Sequence, residues 1–222
     1  MASALPDITF VGRLAFWESF EREARTCFQQ ENWHDIRMDI GYHPVGTPGA
    51  ANLAGEHVHC GNEGTIQGRF QAQVGTVLTA VSEAAGLGLA FGDYKATTDR
   101  ISGPKIPDIA IMTEIGDTRA FGEVKNLPKV LAQIAEYLHI RGLKNGFVST
   151  YDQTIFVKQE LANGVWTLFY SPAIPSDAKL LEPTTVGGNP WVSLKECFWF
   201  LCKLAKAGHA ANNPLSLQKW VR

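Results

Sequence analysis

Several features that would place the chain in a specialised class are missing. No apolar stretch approaches the roughly 18 uninterrupted residues that a membrane-spanning helix needs. The segment Met1–Phe10 contains no basic run and includes Asp7, so we expect no secretory signal. The formal net charge is −2, which provides no overall attraction to nucleic acid or to anionic lipid. We therefore expect neither a membrane protein nor a secreted precursor.

Cysteine is scarce and shows no pairing pattern. The four cysteines are widely spaced and form no C-x-x-C motif, which argues against a disulfide framework or a four-cysteine zinc site. They are Cys27, Cys60, Cys197 and Cys202. Reduced thiols are typical of proteins in the nucleus or cytoplasm. We therefore predict an intracellular protein.

The remaining composition is that of a folded globular protein. Apolar residues make up 45% of the 222 residues and charged residues 19%, which excludes a disordered chain. At this length one elaborated domain is more frequent than two complete ones. Within it we predict an N-terminal helical extension and loop over residues 1–66. An α/β domain with a C-terminal helix follows over residues 67–222.

Helices are predicted where apolar residues recur every three or four positions. This spacing predicts helices at 13–32, 69–85, 129–142 and 193–206, with long Gly- and Pro-rich loops at 41–64 and 172–190. Gly86 is a suitable stop for the second helix, and Pro128 can open the third. The third helix should bury one face on the sheet, through Val130, Leu131, Ile134 and Leu138.

Strands are predicted where apolar residues alternate or form short runs bounded by turn residues. The predicted strands are 87–91, 106–112, 119–125, 146–150, 154–158 and 165–170. Gly116-Asp117 predicts a hairpin between the second and third strands. The order of elements indicates an α/β fold with a mixed central sheet flanked by helices.

Two carboxylates and a lysine are candidates for a reactive site on this hairpin. Glu123 and Lys125 share one face of their strand, and the hairpin brings Asp108 opposite about residue 123 to 125. Two carboxylates suit a hard cation such as Mg²⁺, and the carbonyl of Val124 can add an oxygen ligand. Lys125 can hold or deprotonate an attacking water. Such a group is equipped for metal-assisted phosphodiester hydrolysis.

These residues resemble a known nuclease signature. Pro107-Asp108 followed by Glu123-Val124-Lys125 is similar to the PD-(D/E)xK motif. The next predicted helix carries Gln133 and Tyr137, which resemble the Q-x-x-x-Y motif of the RecB-like branch of that superfamily. The two residues lie four positions apart and so share one helical face. The resemblance covers residues 67–170.

The resemblance implies a restriction-endonuclease-like core and Mg²⁺- or Mn²⁺-dependent cleavage of DNA, with RNA as the other substrate. Asp108, Glu123 and Val124 would hold the metal, and Lys125 would assist the water. Gln133 would hold a water or phosphate, and Tyr137 would contact the nucleic-acid backbone. Homodimerisation, which such nucleases use to cut two strands, is left open.

The sequence departs from the family pattern on the helix before the strands. Where a glutamate is usual, Gln71 and Gln73 occupy the early turns, and Glu83 lies near the end. This departure favours one metal ion over two. It also leaves open a catalytically inactive module that binds nucleic acid or protein as a scaffold. A hydrolase acting on a small phosphorylated compound is a third hypothesis, although no P-loop is present.

Basic and metal-binding residue types also cluster elsewhere. A basic rim for phosphates is one interpretation of Lys105 and Lys129, together with Lys95, Arg100, Arg141 and Lys144; a solvated surface is the other. His57, His59 and Cys60 are potential zinc ligands, with His34 and His43 upstream. Their spacing and Gly-rich surroundings favour a solvated loop. Cys197 and Cys202 are predicted to be core thiols.

Overall fold

The computed structural model describes residues 8–33, 63–98, 106–124, 130–150, 152–176, 178 and 192–222. Its helices are α1 (Phe20–Gln29), α2 (Glu63–Phe70), α3 (Thr76–Ala84), α4 (Val130–Ile140) and α5 (Leu194–Ala207). A π-helical turn, Gln71–Gly75, joins α2 to α3. The strands are β1 (Arg13–Phe16), β2 (Leu89–Asp93), β3 (Ile109–Thr113), β4 (Thr118–Val124), β5 (Asn145–Ser149), β6 (Gln153–Ala162), β7 (Val165–Tyr170) and β8 (Ile174–Pro175).

The strands in the described residues form one mixed sheet. Their order is β1-β7-β6-β5-β4-β3-β2, and β8 pairs with β6. The pairs β1·β7 and β4·β5 are parallel, and the other neighbours are antiparallel. Because β4 and β5 are parallel, α4 is the crossover connection that joins them. The predicted α/β fold with a mixed central sheet is confirmed.

Helices cover both faces of the sheet. On one face, α1, α3 and α5 pack against β-strand residues through a cluster that includes Phe20, Leu78, Phe198, Phe147 and Phe156. On the other face, α4 packs through Ile134 and Leu138 against Phe121, Val148 and the C-terminal Trp220. In the described part of the chain no helix is long and apolar enough to cross a membrane.

The helix predicted over 13–32 is wrong in its first part. Residues Arg13–Phe16 form β1, which pairs in parallel with β7, and the helix begins only at Phe20. Leu14 is 44% exposed and Phe16 is 46% exposed, so neither belongs to a buried helical face. The free edge of β7 offers backbone hydrogen bonds that reward an extended chain here. Sequence spacing does not include that tertiary contribution.

The second predicted helix begins earlier and is less regular than its pattern indicates. Helix α2 already includes Glu63 and Gly64, so the loop predicted over 41–64 is wrong at its end. The rest of that predicted loop, residues 41–62, lies outside the described residues. Gly86 has a φ of +67° and follows the end of α3, as predicted. The proposed domain boundary at residue 66 falls inside α2, and the division into domains stays a prediction.

The strand predictions are better where turns bound them. β7 has the predicted limits, and the Gly116-Asp117 hairpin is present. β6 extends to Ala162 rather than 158, because Asn163 and Gly164 both adopt positive φ and make a tight turn to β7. β3 begins at Ile109 instead of 106. In α4, Leu131 is only partly buried, whereas Val130, Ile134 and Leu138 are buried as predicted.

Candidate functional site

The predicted carboxylates meet at the end of β4. Ile109 pairs with Gly122 in the β3–β4 register, so Asp108 and Glu123, one position further out, face each other across the hairpin. Side chains at directly opposed antiparallel positions share a face and have Cβ atoms about 5 Å apart. Both point to the face that α4 covers, since Ala110 and Phe121, two positions along each strand, belong to that core cluster.

Backbone contacts hold Asp108 in place although it lies before β3 begins. Its Oδ2 accepts a hydrogen bond of 3.0 Å from the backbone N–H of Val124. Its carbonyl accepts a second bond, 2.7 Å long, from Nε2 of Gln67. The aspartate is therefore fixed from both β4 and α2, in the chain segment immediately outside the sheet.

Glu123 is a buried carboxylate. Its exposed fraction is 0%, while Asp108 is partly exposed. Burying an ionised carboxylate costs several kcal/mol unless charge or hydrogen bonds compensate it. A buried acid at a strand end therefore needs such compensation, and buried acids of this kind are frequent at functional sites.

Helix α4 contributes a hydrogen-bonded pair beside these carboxylates. Nε2 of Gln133 donates to the Tyr137 hydroxyl oxygen at 2.6 Å, and both side chains are buried. Burial raises the pKa of the Tyr137 phenol, and the neighbouring carboxylate of Glu123 raises it further, against the effect of the Gln133 hydrogen bond. The Tyr137 phenol therefore stays protonated at neutral pH. It lies near enough to Glu123 for that carboxylate to raise its pKa.

Tyr137 has less access to solvent than its predicted role requires. Its exposed fraction is 1%, and that of Gln133 is 7%. This burial does not favour direct contact between the Tyr137 phenol and a nucleic-acid backbone. The pair is better suited to order the protein interior next to Glu123, where the Gln133 amide holds the Tyr137 hydroxyl in place.

The helical segment before the strands supplies amides rather than an acid. Gln67 bonds to the Asp108 carbonyl, and Nε2 of Gln71 donates to the Phe91 carbonyl at 2.9 Å. Gln71 lies in the π-helical turn, a feature frequent at functional sites. In the described ranges no three His, Cys, Asp or Glu side chains gather in a metal-binding group. At the candidate site the described acids are therefore two carboxylates, those of Asp108 and Glu123.

The predicted lysines of the site cannot be placed. Lys125, Lys105 and Lys129 lie outside the described residues. Val124, the predicted carbonyl ligand, is the last residue of β4 and directly precedes Lys125. Since Glu123 and Lys125 are separated by one residue, their relation remains the one that the sequence predicts.

The predicted basic rim divides between two places. Lys95 is exposed in a single-turn helix that follows β2, and it lies at the same end of the sheet as Asp108, since Asp93 pairs with Ile109. Arg141 and Lys144 instead lie between the end of α4 and the start of β5, at the other end of the sheet. For those two the rim prediction is wrong, because α4 carries the chain away from the carboxylates. Arg100 is outside the described residues.

The remaining predicted clusters are inert or undescribed. Cys197 and Cys202 are free, buried thiols; burial raises the pKa of both, that of Cys202 to about 12. They are core residues, as predicted, and Cys27 is also free. The histidine cluster His57 and His59, with Cys60 and the upstream His34 and His43, lies outside the described residues.

Gln67 is the site residue that the sequence reasoning missed. It contacts Asp108 across 41 residues of chain, a separation at which no local pattern operates. The available signal was its spacing from Gln71, because residues four apart on a helix face the same side. Both amides of this face reach backbone carbonyls of the sheet region, that of Phe91 in the middle of β2 and that of Asp108 just before β3.

Comparison with protein-family models finds no match, and comparisons with curated proteins and with solved structures find none either.

Proposed function

We propose that this protein is a metal-dependent phosphodiesterase that cleaves nucleic acid, with DNA as the first candidate substrate. The observation that carries the proposal is the pairing of Asp108 with the buried Glu123 at the end of β4, next to the Gln133–Tyr137 pair. The resemblance of these residues to the PD-(D/E)xK signature agrees with it.

The donor set fits a single Mg²⁺ or Mn²⁺ ion. Asp108 and Glu123, with the carbonyl of Val124, would hold it, because Mg²⁺ prefers oxygen ligands and takes one or two carboxylates while keeping several waters. When bound, the ion would supply Lewis-acid polarisation of the phosphate and a more acidic water. The amides Gln67 and Gln71 in the preceding helical segment argue for one ion.

The protein groups have distinct tasks around that ion. The Val124 N–H fixes Oδ2 of Asp108. Gln67 restrains the backbone of the same residue. Gln133 and Tyr137 act as positioning residues that keep the wall beside Glu123 rigid. Lys125 follows in the sequence and would hold the attacking water and balance phosphate charge.

A cleavage panel tests this proposal. Purified protein is incubated with supercoiled plasmid, linear duplex, single-stranded DNA and RNA, each with Mg²⁺, Mn²⁺ or EDTA. We expect cleavage of at least one substrate with a divalent ion and none with EDTA. Glu123→Gln should lower the rate at least about 100-fold, as loss of a preorganised catalytic charge does.

The hairpin itself supplies the matched control. Glu114 is an exposed glutamate at the opposite end of the β3–β4 hairpin, and Glu114→Gln should leave cleavage unchanged. Equal rates for Glu123→Gln and the wild type would refute the assignment of the site. A contaminating nuclease would give the same rate in the Glu123→Gln and Glu114→Gln preparations.

A non-catalytic nucleic-acid- or protein-binding module is the second candidate. The observation in its favour is the combination of amides at Gln67 and Gln71 with complete burial of Glu123. That role predicts no cleavage with any ion on any substrate of the panel. Binding of the same substrates, unchanged by EDTA, would then support it.

Location and partners follow from the same proposal. We propose an intracellular protein of the nucleus or cytoplasm, in agreement with the free thiols of Cys27, Cys197 and Cys202. Its partner would be nucleic acid. A homodimer would serve double-strand cleavage, and the mass of the particle in solution tests for it directly.

A further inference from the structure

A basic cleft of about 400 Å³ lies at the end of the sheet opposite to the carboxylates. Its lining includes Asp117, Arg119, Arg141, Gly142, His209 and Asn212. Arg119 is the second residue of β4, whereas Glu123 is close to its end. At about 3.3 Å per strand residue, Arg119 is roughly 13 Å along β4 from Glu123.

A direct contact in this cleft fixes the character of His209. Nη1 of Arg119 lies 2.7 Å from Nδ1 of His209. Nη1 also lies 3.0 Å from Nε2 of the same ring, and because a guanidinium can only donate, the ring nitrogen that bonds to it must be one without a proton. Burial and the adjacent Arg119 lower the pKa of His209, with Asp117 opposing them. The cleft thus combines two permanent cations with a neutral ring.

The end of α4 is closed by its own backbone. Gly142, with a φ of +59°, donates its N–H to the His139 carbonyl at 3.1 Å, and the Leu143 N–H donates to Leu138 at 2.9 Å. This pattern is a Schellman motif, in which the backbone itself satisfies the last carbonyls of the helix.

Asp117 is the counter-charge within the cleft. Its Oδ2 is 3.9 Å from Nη2 of Arg119, and its side chain is 48% exposed. Exposed pairs at this distance contribute little and are easily exchanged for another anion. With Asp117 counted, the lining still carries a net charge of about +1, from Arg119 and Arg141 against one carboxylate.

We propose that this cleft binds the phosphate group of a small phosphate monoester. Guanidinium groups form paired, charge-assisted hydrogen bonds with phosphate oxygens, and the volume is in the range of small-molecule sites. A phosphate that replaced the Asp117 carboxylate beside Arg119 would accept hydrogen bonds from the guanidinium. The same chemistry is offered by a nucleic-acid phosphate, and the test below separates the two sources.

Titration calorimetry with inorganic phosphate, adenosine 5′-monophosphate and a single-stranded oligonucleotide tests the site on the full chain. We expect the monophosphate to bind at millimolar or better concentration, more tightly than inorganic phosphate. Arg119→Gln should weaken that binding at least about tenfold. Asp117→Asn should strengthen it about two- to fivefold, because it removes the competing anion.

Opposite signs for the two variants distinguish a binding site from damage to the fold, since unfolding weakens binding in both. Arg13→Gln on the exposed strand β1 is the matched control and should have no effect. Should Arg119→Gln fail to fold, the wild-type NMR resonances of His209 still report, and they should shift with the monophosphate. Binding of the oligonucleotide alone, again lost in Arg119→Gln, would assign the phosphate to a nucleic-acid strand.

Two results would overturn the proposal. One is the absence of binding by all three ligands, each tested at a concentration of about 10 mM in phosphate groups. The other is equal affinity of wild type, Arg119→Gln and Asp117→Asn. Because Arg119 and Asp117 are far from Glu123, cleavage should be unaffected in both variants, so the two proposals fail independently.

Discussion

The two ends of the β4–α4–β5 unit differ in charge and in the way they hold it. Near the start of α4 and the end of β4 lie Asp108 and Glu123. Near the end of α4 and the start of β4 lie Arg119 and Arg141. The helix dipole favours negative charge at the N-terminal end and positive charge at the C-terminal end. The arrangement of charge along this unit follows that preference.

The two ends also differ in burial. Glu123 is completely buried and Asp108 is tied to the Val124 backbone, whereas Arg119 is 25% exposed and Asp117 is 48% exposed. The charge of Glu123 at the carboxylate end therefore lies in the core. The charges of Arg119 and Asp117 at the basic end can be changed with little loss of stability. Substitutions at the carboxylate end should affect stability and activity together more readily than those in the basic cleft.

The largest expected effect concerns the packing of α4 on the sheet, on which both ends of the unit depend. Ile134 is fully buried between α4 and the sheet. Ile134→Ala should lower the free energy of unfolding by about 2–5 kcal/mol, as large-to-small core changes do. Urea denaturation measures it, and Leu131→Ala at the neighbouring, partly buried position should cost less. An equal or larger loss for Leu131→Ala would mean that α4 packs with a different face.

A smaller effect, confined to the carboxylate end, is expected for Gln133→Ala. The change removes the donor to Tyr137 and should lower kcat about tenfold, with a stability loss of about 1 kcal/mol. Ile134→Val should cost a similar amount of stability, about 0.5–1.5 kcal/mol, and serves as the control. If both variants lose activity equally, Gln133 acts only through stability and the difference between the two ends is weaker than described.

Tyr137→Phe should have a milder consequence. It removes the hydroxyl that accepts from Gln133 but keeps the ring in the core, so we expect cleavage to fall about three- to tenfold. Because the phenol pKa is raised, the wild type and this variant should have the same alkaline pH profile up to pH 10. A limb near pH 10 that disappears in Tyr137→Phe would show that the phenol ionises.

The smallest predicted effect is a pH dependence of stability near the end of α4. Burial lowers the pKa of His139 below its ordinary value of 6.5. The unfolded chain therefore binds a proton more readily, and stability from the neutral ring is full above pH 6.5 and is lost as pH falls. His209 has the same sign. The melting temperature of His139→Gln should drop less than that of the wild type between pH 7.5 and 5.5.

Sequence patterns predicted the parts of the fold that local chemistry determines. The Gly116-Asp117 turn, the limits of β7 and the buried positions of α4 follow from turn residues and apolar spacing. The hairpin allowed only the approximate prediction that Asp108 faces about residue 123 to 125; the register shift between Ile111 and Met112, which makes it face Glu123, could not be anticipated. The extra turns of α2 and the extended chain at β1 could not, since tertiary pairing decides both.

The site was predicted only as far as the hairpin and its following helix reach. Gln67 contacts Asp108 from a distant helix, and the cleft around Arg119 and His209 joins residues 90 positions apart. Arg141 was assigned to the wrong end because its position depends on the direction in which α4 returns. Contacts between remote segments have no period or spacing in one sequence, so they become visible only with the fold.

The most direct test of the central claim is divalent-ion binding at the carboxylate end. Isothermal calorimetry with Mn²⁺ on the wild type, Glu123→Gln and Glu114→Gln measures it without depending on the right substrate. The account predicts about one ion per chain for the wild type and Glu114→Gln, and loss of that binding in folded Glu123→Gln. Equal Mn²⁺ binding by Glu123→Gln and the wild type, or no binding by the wild type, would contradict it.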